Sequence, residues 1–321
     1  MQIFKKSRLL APTIAPTLGL VLGVQFISVH FSSASDVNLA NTVSVPTTHC
    51  TSYRSTILER SEPYCVDRSR PDVLPVSGEP VVFFMHGTNG NEQTWEKNGY
   101  AEALKELRAN PNLPPMTFVS FKTSPYSFYT NSPGHPKKAW ETWFITEFEP
   151  MIEQVLDVCR KRECRAVIGE SMGGFGAIKT ALRHPELFNT IAVNSPALAP
   201  FNPRDSVAKW EHYFKQAPIG PLRGLLLIEI VRQIFPTADS YNENDPTLLV
   251  KNYSSPYRFP NIYFDMGGKD YYGFNVGYGL FKTELDSREI PYSTIFEPTA
   301  GHDMWKRHAK DTILFVSNHL E

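Results

Sequence analysis

Apolar and polar residues alternate in blocks along this chain, with a strand-then-helix rhythm. Pro80–Met85 reads PVVFFM, a continuous apolar run between Gly78 and Gly87, and predicts a central strand buried on both faces. Before it, Ser52–Leu58 and Pro63–Asp67 predict two short antiparallel strands separated by turn residues. Helical spacing follows over Asn98–Arg108, then a strand over Met116–Phe121. Trp140–Cys159 is a long amphipathic helical pattern with Pro150 inside it, which predicts a kink or a break into two helices there. Arg165–Ile168 is a short buried strand, Gly173–His184 a helix and Thr190–Val193 another strand. The rhythm resumes at Asn261–Met266, with a helix over Val276–Asp286, a strand over Tyr292–Phe296 and a last helix from Met304 to His319. Such alternation predicts an α/β fold with a mostly parallel central sheet, helices on both faces and an antiparallel N-terminal edge.

Residues 200–260 interrupt the rhythm and are expected to be an insertion or a cap. Within them Leu222–Phe235 predicts an apolar helix. Its spacing favours a face packed into the domain over a lid on an apolar pocket.

The first residues lie apart from this pattern. Lys5, Lys6 and Arg8 precede an apolar stretch from Leu9 to Phe31, and small residues follow at Ser32–Ser35. That is the layout of a secretory signal peptide over residues 1–35, followed by a polar linker over 36–50 and a folded domain over 51–321. An uncleaved anchor is the alternative; after cleavage no stable membrane insertion is expected. The predicted location is therefore secreted or periplasmic. Four cysteines remain, Cys50, Cys65, Cys159 and Cys164. In an exported chain an even number reads as disulfides. Neighbours in sequence suggest Cys50–Cys65 and Cys159–Cys164 among three possible pairings. A net charge of -1 and the lack of a basic run give no reason to expect a nucleic-acid partner. No Cys-x-x-Cys and no zinc-spaced histidine pair occur, so neither metal nor cofactor is expected.

Candidate chemistry centres on Gly169-Glu170-Ser171-Met172-Gly173, a Gly-x-Ser-x-Gly sequence. A buried strand precedes it and an amphipathic helix follows. This is the context in which the serine hydroxyl is held on a sharp turn at a helix N-terminus as a nucleophile. His86-Gly87-Thr88 follows the PVVFFM strand. The Thr88 N–H, ahead of that of Gly87, and the Met172 N–H are the candidate oxyanion donors. His86 comes too early for the base and reads as structural. His302 sits in the small-residue loop 299–303 after a strand and is the preferred base over His308 and His319. Asp270, in the loop beyond Asn261–Met266, is the preferred acid over Asp265 within that strand. The chain order Ser171, Asp270, His302 is that of α/β-hydrolases.

Several stretches resemble one family. Ile168–Ala177 (IGESMGGFGA), His184–Phe188 and Asn194-Ser195-Pro196 are similar to the esterase family of α/β-hydrolases that includes esterase D (S-formylglutathione hydrolase), feruloyl esterases, enterochelin esterases and mycolyltransferases. Ser127–Thr130 and Trp140-Glu141-Thr142 with Glu147 resemble the loop and helix before its serine turn, Asn244-Asp245-Pro246 and Gly267–Asp270 its acid region, and Gly301-His302-Asp303 with Trp305 its histidine loop, so that the resemblance runs from Pro63 to the C-terminus. The resemblance implies the same Ser171, Asp270 and His302 and a small-molecule or lipid-like carboxylic ester as substrate. Residues 200–260 match no one subfamily, and the export signal argues against the cytosolic formaldehyde-detoxifying branch. The leading expectation is a serine ester hydrolase working through an acyl-enzyme. An acyltransferase with the same three residues and a non-catalytic binding protein on the same scaffold are the alternatives.

Overall fold

A computed structural model describes residues 48–321 of the chain. The signal peptide expected over 1–35 and nearly all of the expected linker lie outside the described residues. Among the described residues eight strands form one sheet: β1 (His49–Arg54), β2 (Ser61–Arg68), β3 (Val81–Met85), β4 (Thr117–Phe121), β5 (Arg165–Glu170), β6 (Thr190–Asn194), β7 (Asn261–Gly267) and β8 (Ser293–Glu297). Their order is β1-β2-β4-β3-β5-β6-β7-β8. β1 and β2 pair antiparallel at one edge and β2 runs antiparallel to β4; every pair from β4 to β8 is parallel.

The apolar runs are the parallel strands. β3, β4, β5 and β6 are buried along their whole length. Period-two geometry splits them between two cores. Val81, Phe83 and Met85 point to one face, against Phe144, Phe148, Phe175 and Phe281. Val82 and Phe84 point to the other, against Trp95, Tyr100, Leu104 and Ile313. Eleven α-helices surround the sheet among the described residues. α1 (Thr94–Lys97), α2 (Tyr100–Leu107) and α11 (Trp305–Ser317) contribute to the second core. α3 (Trp140–Trp143), α4 (Glu149–Leu156), α5 (Met172–Arg183) and α10 (Phe274–Ser287) contribute to the first. None of the described helices is long and apolar enough to cross a membrane.

Several boundaries differ from the sequence reading. The last linker residues, His49 and Cys50, belong to β1, whose pairing with β2 places Cys50 opposite Cys65. Those two cysteines are disulfide-bonded, as are Cys159 and Cys164. The helix expected over Asn98–Arg108 is α2, which starts at Tyr100 after Gly99 at φ 91°; the short α1 that precedes it was not expected. Pro150 does not break the chain into two helices. A π-helical turn, Phe144–Phe148, runs from α3 directly into α4, and Pro150 falls in the first turn of α4. The wider turn ahead of the proline loosens the spacing that its ring and missing N–H would otherwise disrupt. The helix ends at Leu156 rather than Cys159, with Asp157 left-handed at φ 50°.

Residues 200–260 fold into α6 (Val207–Phe214), α7 (Pro221–Ile234), α8 (Ala238–Asn242) and α9 (Pro246–Lys251). α6 and α7 enclose a small core of Trp210, Phe214, Ile219 and Ile228. On α7 the stripe Gly224, Ile228, Val231 is buried, while Leu222 is 75% and Leu226 60% exposed. The helix thus packs by one face and leaves apolar residues on another.

The N-terminus of α5 passes very close to the sheet. A Cβ added to Gly173 would collide with the Met85 carbonyl, and one added to Gly169 with the Gly173 carbonyl. Neither backbone has room to retreat, because both belong to buried hydrogen-bonded elements. Gly173→Ala is therefore predicted to cost about 3 kcal/mol, the upper part of the usual range for overpacking. Chemical denaturation of the variant and the parent protein measures this; a loss below about 0.5 kcal/mol would contradict it.

Candidate active site

The parallel strands deliver their polar residues to one edge of the sheet, at their C-terminal ends. β3 leads to Thr88, β5 to Ser171, β6 to Asn194, β7 to Asp270 and β8 to His302.

Ser171 lies between β5 and α5 with φ 52° and ψ -117°, a conformation costly for a residue with a side chain. Neighbours hold it there. Its N–H donates to Asn194 O at 3.0 Å, and its carbonyl accepts from Phe175 N at 3.1 Å and Ala197 N at 2.9 Å. Asn194 is fixed in turn, since its side-chain oxygen accepts from Tyr100 OH at 2.7 Å and its Nδ2 donates to Asp265 Oδ2 at 2.5 Å. Asp265 Oδ1 also accepts from Ser195 N at 2.9 Å. Burial pushes the Asp265 carboxyl up to about 6, despite these donors. Asp265 thus clamps the end of β6 and makes no hydrogen bond to His302.

His302 Nε2 is 2.8 Å from Ser171 Oγ, and His302 Nδ1 is 2.6 Å from Asp270 Oδ2. With its proton on Nδ1, the imidazole donates to Asp270 and leaves Nε2 to accept from the serine. Asp270 is buried, and its other oxygen accepts the backbone N–H groups of Tyr272 at 2.9 Å and Phe274 at 3.1 Å. The two loops touch closely, with Lys269 N donating to Ala300 O at 2.9 Å. Around the imidazole stand the rings of Tyr272, Trp305 and Phe274, with centroids 4.8, 5.5 and 5.8 Å away. The three sequence-predicted residues Ser171, Asp270 and His302 are thus joined in one hydrogen-bonded chain.

The three other histidines weighed from the sequence are engaged elsewhere. His308 contacts Glu297 and Asp311, and His319 contacts the Phe315 carbonyl. His86 is fully buried, which pushes its imidazole down to about 4. Its Nδ1 lies 2.6 Å from Gly87 O, and its Nε2 accepts from Thr123 N at 3.1 Å.

Ser171, Thr88 and Met172 open onto a cavity of about 300 Å³. The Gly87 N–H already donates to Glu170 Oε1 at 3.3 Å. The N–H groups of Thr88 and Met172 have no partner among the described residues. The cavity wall is mostly apolar: Phe128, Trp210, Leu227, Ile228, Val231 and Phe274 are on it, with Arg223 the charged member. α6 and α7 supply much of this wall; a pocket-side role was the less favoured alternative for α7 in the sequence and had no counterpart for α6. They are tied to the loop that carries Asp270: Ile219 N donates to Tyr271 O at 2.9 Å, Tyr213 OH to Gly273 O, and Arg223 to Tyr271 OH at 3.1 Å. Tyr272 and Phe274 also went unrecognised from sequence; the only signal was the aromatic run Tyr271-Tyr272-Gly273-Phe274 after the acid. No group of three His, Cys, Asp or Glu among the described residues is arranged to hold a metal.

Glu170, beside the serine, is buried, and its Oε1 also accepts from Asn98 Nδ2 at 2.7 Å. Burial pushes its carboxyl up to about 7, opposed by the hydrogen bonds from Asn98 and Gly87. A raised value means the folded state favours the protonated form. The group's contribution is full below about pH 4 and is lost as pH rises through about 7. Glu170→Gln keeps the acceptor and removes the charge. Its unfolding free energy relative to the parent protein is predicted to shift in its favour by about 3 kcal/mol between pH 4 and pH 8. Denaturant titrations at both pH values check this; a pH-independent difference would refute it.

Comparison with known proteins agrees with this architecture. The family model described as "Putative esterase" matches residues 70–276. A Mycobacterium tuberculosis protein named Esterase Rv1288 is 31% identical over 118 residues, which are 36% of this chain and 25% of that protein. The chain thus aligns with only about a quarter of the length of that curated relative. Among solved structures, a ferulic acid esterase superposes with a TM-score of 0.66 at 20% identity, covering 85% of this chain and 97% of that one. An S-formylglutathione hydrolase from Agrobacterium tumefaciens gives 0.64 at 19% identity, covering 85% and 95%. At such identities the structural likeness speaks for the fold, while the family model reaches most of the domain. With its sheet order, its serine turn and this match, the chain belongs to the esterase family of α/β-hydrolases.

Proposed function

We propose that this protein is a serine hydrolase of carboxylic esters, with Ser171 as nucleophile, His302 as general base and then acid, and Asp270 as the residue that holds the imidazole. The observation that carries the reading is the chain Asp270–His302–Ser171, with contacts of 2.6 and 2.8 Å, ending in an apolar cavity.

The contacts support the following steps. The Ser171 hydroxyl proton moves to His302 Nε2 as Oγ bonds to the ester carbonyl carbon. The carbonyl oxygen takes the negative charge and accepts from the Thr88 and Met172 N–H groups. A donor of this kind is worth about 10²–10³ in rate. The intermediate collapses, the C–O bond to the alcohol breaks, and the alcohol leaves with the proton from His302. Water then repeats the sequence on the acyl-enzyme. Apolar walls around Ser171 favour esters with an uncharged, apolar group on at least one side of the bond. An alcohol that replaces water in the second half would make the same intermediate a donor for acyl transfer. Two disulfides among the described residues suit an oxidising compartment, and we place the protein outside the cytoplasm, secreted or periplasmic.

A series of p-nitrophenyl acyl esters tests the reading. Ser171→Ala is predicted to lower kcat/KM by at least about 10⁴-fold; retained activity would assign the nucleophile elsewhere. Ala199 lies on the cavity wall. Ala199→Trp is predicted to reduce kcat/KM for long-chain esters by about tenfold or more while sparing the acetate. An equal loss on both esters would place the acyl group outside this cavity.

A further inference from the structure

β5 is buried from end to end, yet its last residue is a carboxylic acid. Glu170 Oε1 has two donors, Asn98 Nδ2 and Gly87 N, while its Oε2 is buried with no hydrogen-bond partner among the described residues. An apolar side chain would meet this environment at lower cost than a carboxyl with one oxygen left unsatisfied. Stability alone therefore does not account for the residue, and its contacts indicate what does.

At Gly87 the turn after β3 comes close to Ser171. A Cβ there would stand 3.3 Å from Glu170 Oε1 and 3.4 Å from Ser171 Cβ. Two consecutive peptide units make up this turn. In the first, His86 O accepts from Tyr129 OH at 3.0 Å, and Gly87 N donates to Glu170. In the second, Gly87 O accepts from Gly90 N at 3.1 Å and lies 2.6 Å from His86 Nδ1. Since a peptide is planar and trans, fixing the Gly87 carbonyl sends the Thr88 N–H the opposite way. Three of the four polar groups are thus held, and the fourth is the Thr88 N–H at the cavity. Among the described residues the Gly87 N–H has no backbone partner; the Glu170 carboxyl is what holds it.

We propose that Glu170 is a positioning residue for the reaction: by accepting the Gly87 N–H while braced by Asn98, it orients the Thr88 N–H toward the developing oxyanion. This rests on the ester-hydrolase reading above. It assigns a role to the variable position of the Gly-x-Ser-x-Gly sequence, through its acceptor oxygen and without contact to substrate.

The test compares Glu170→Leu and Glu170→Gln on an ester that the parent protein hydrolyses. Binding of an alkyl boronic acid, which forms a tetrahedral adduct on the serine, is measured beside binding of the product carboxylic acid. For Glu170→Leu, kcat is expected to fall about 10- to 100-fold with KM nearly unchanged, in line with a misdirected oxyanion donor. Boronate affinity is expected to fall by a similar factor and product affinity to hold. Glu170→Gln, which keeps an acceptor oxygen, is expected to recover most of the loss. Should Glu170→Leu fail to fold, Asn98→Leu at a half-exposed position loosens the same clamp and is expected to lower kcat several-fold at constant KM. Boronate affinity and kcat unchanged in the folded variants would overturn the proposal, as would equal losses in Gln and Leu. Labelling of Ser171 by a fluorophosphonate separates the two readings. An unlabelled parent protein overturns the hydrolase reading and this one with it, whereas a labelled parent with unaffected variants overturns this one alone.

Discussion

The close passage of α5 across the ends of β3 and β5 is the constraint on which the rest depends. Gly173 lies against the Met85 carbonyl and Gly169 against the Gly173 carbonyl. That proximity leaves the residue between strand and helix only a sharp turn to occupy. Ser171 occupies it with positive φ, held by Asn194, Phe175 and Ala197 through its own backbone. The strain is local, but its support is distributed. Asp265 secures Asn194 and Ser195, Tyr100 secures Asn194 from the opposite core, and Glu170 secures the neighbouring turn. A strained residue persists only where its surroundings over-determine it, and here that surrounding is a buried polar network at one sheet edge.

Parallel strands explain why the polar residues meet. Each strand from β4 to β8 points the same way, so the loops that leave them collect on one side. Asp270 and His302 are 32 residues apart in sequence, and His302 is 131 from Ser171. They meet because β7 pairs with β8, and because Lys269 N bonds to Ala300 O just beyond those strand ends. Burying such groups is costly unless each is hydrogen-bonded. Asp270 satisfies this with the Tyr272 and Phe274 N–H groups and the His302 imidazole.

Much of this was legible in the sequence. The continuous run Val81–Met85 identified a doubly buried strand, and Gly169 to Gly173 marked the sharp turn after β5. Periodicity reports the burial of a residue's own face, so it found β3, β5, β6, α5 and α11 well. It was weaker where a neighbour decides the outcome. The π-helical turn before Pro150 reflects how the chain accommodates one ring and one missing N–H, which no apolar spacing encodes. α7 was read by its buried stripe, and Ile228 and Val231 of that same stripe line the cavity beside Leu227, because spacing cannot separate a side chain facing a core from one facing a hollow. Glu170 shows the same limit from the polar side: a charged residue ending an apolar run gave no hint that Gly87, 83 residues earlier, would be its partner.

The three hydrogen bonds from the α6–α7 region to Tyr271 and Gly273 carry a mechanical consequence. Tyr271 directly follows the carboxylate beneath His302, and Gly273 closes the short turn that feeds two N–H groups to it. The roof of the cavity and the seat of the imidazole are therefore one linkage rather than two parts. For the proposed reaction, a ligand that lifts or twists the roof would load that linkage and work against the alignment of Asp270, His302 and Ser171, while one that fills the hollow without displacing it would leave the alignment at rest. Fit to the apolar wall and the setting of the proposed nucleophile would then be a single property of the fold.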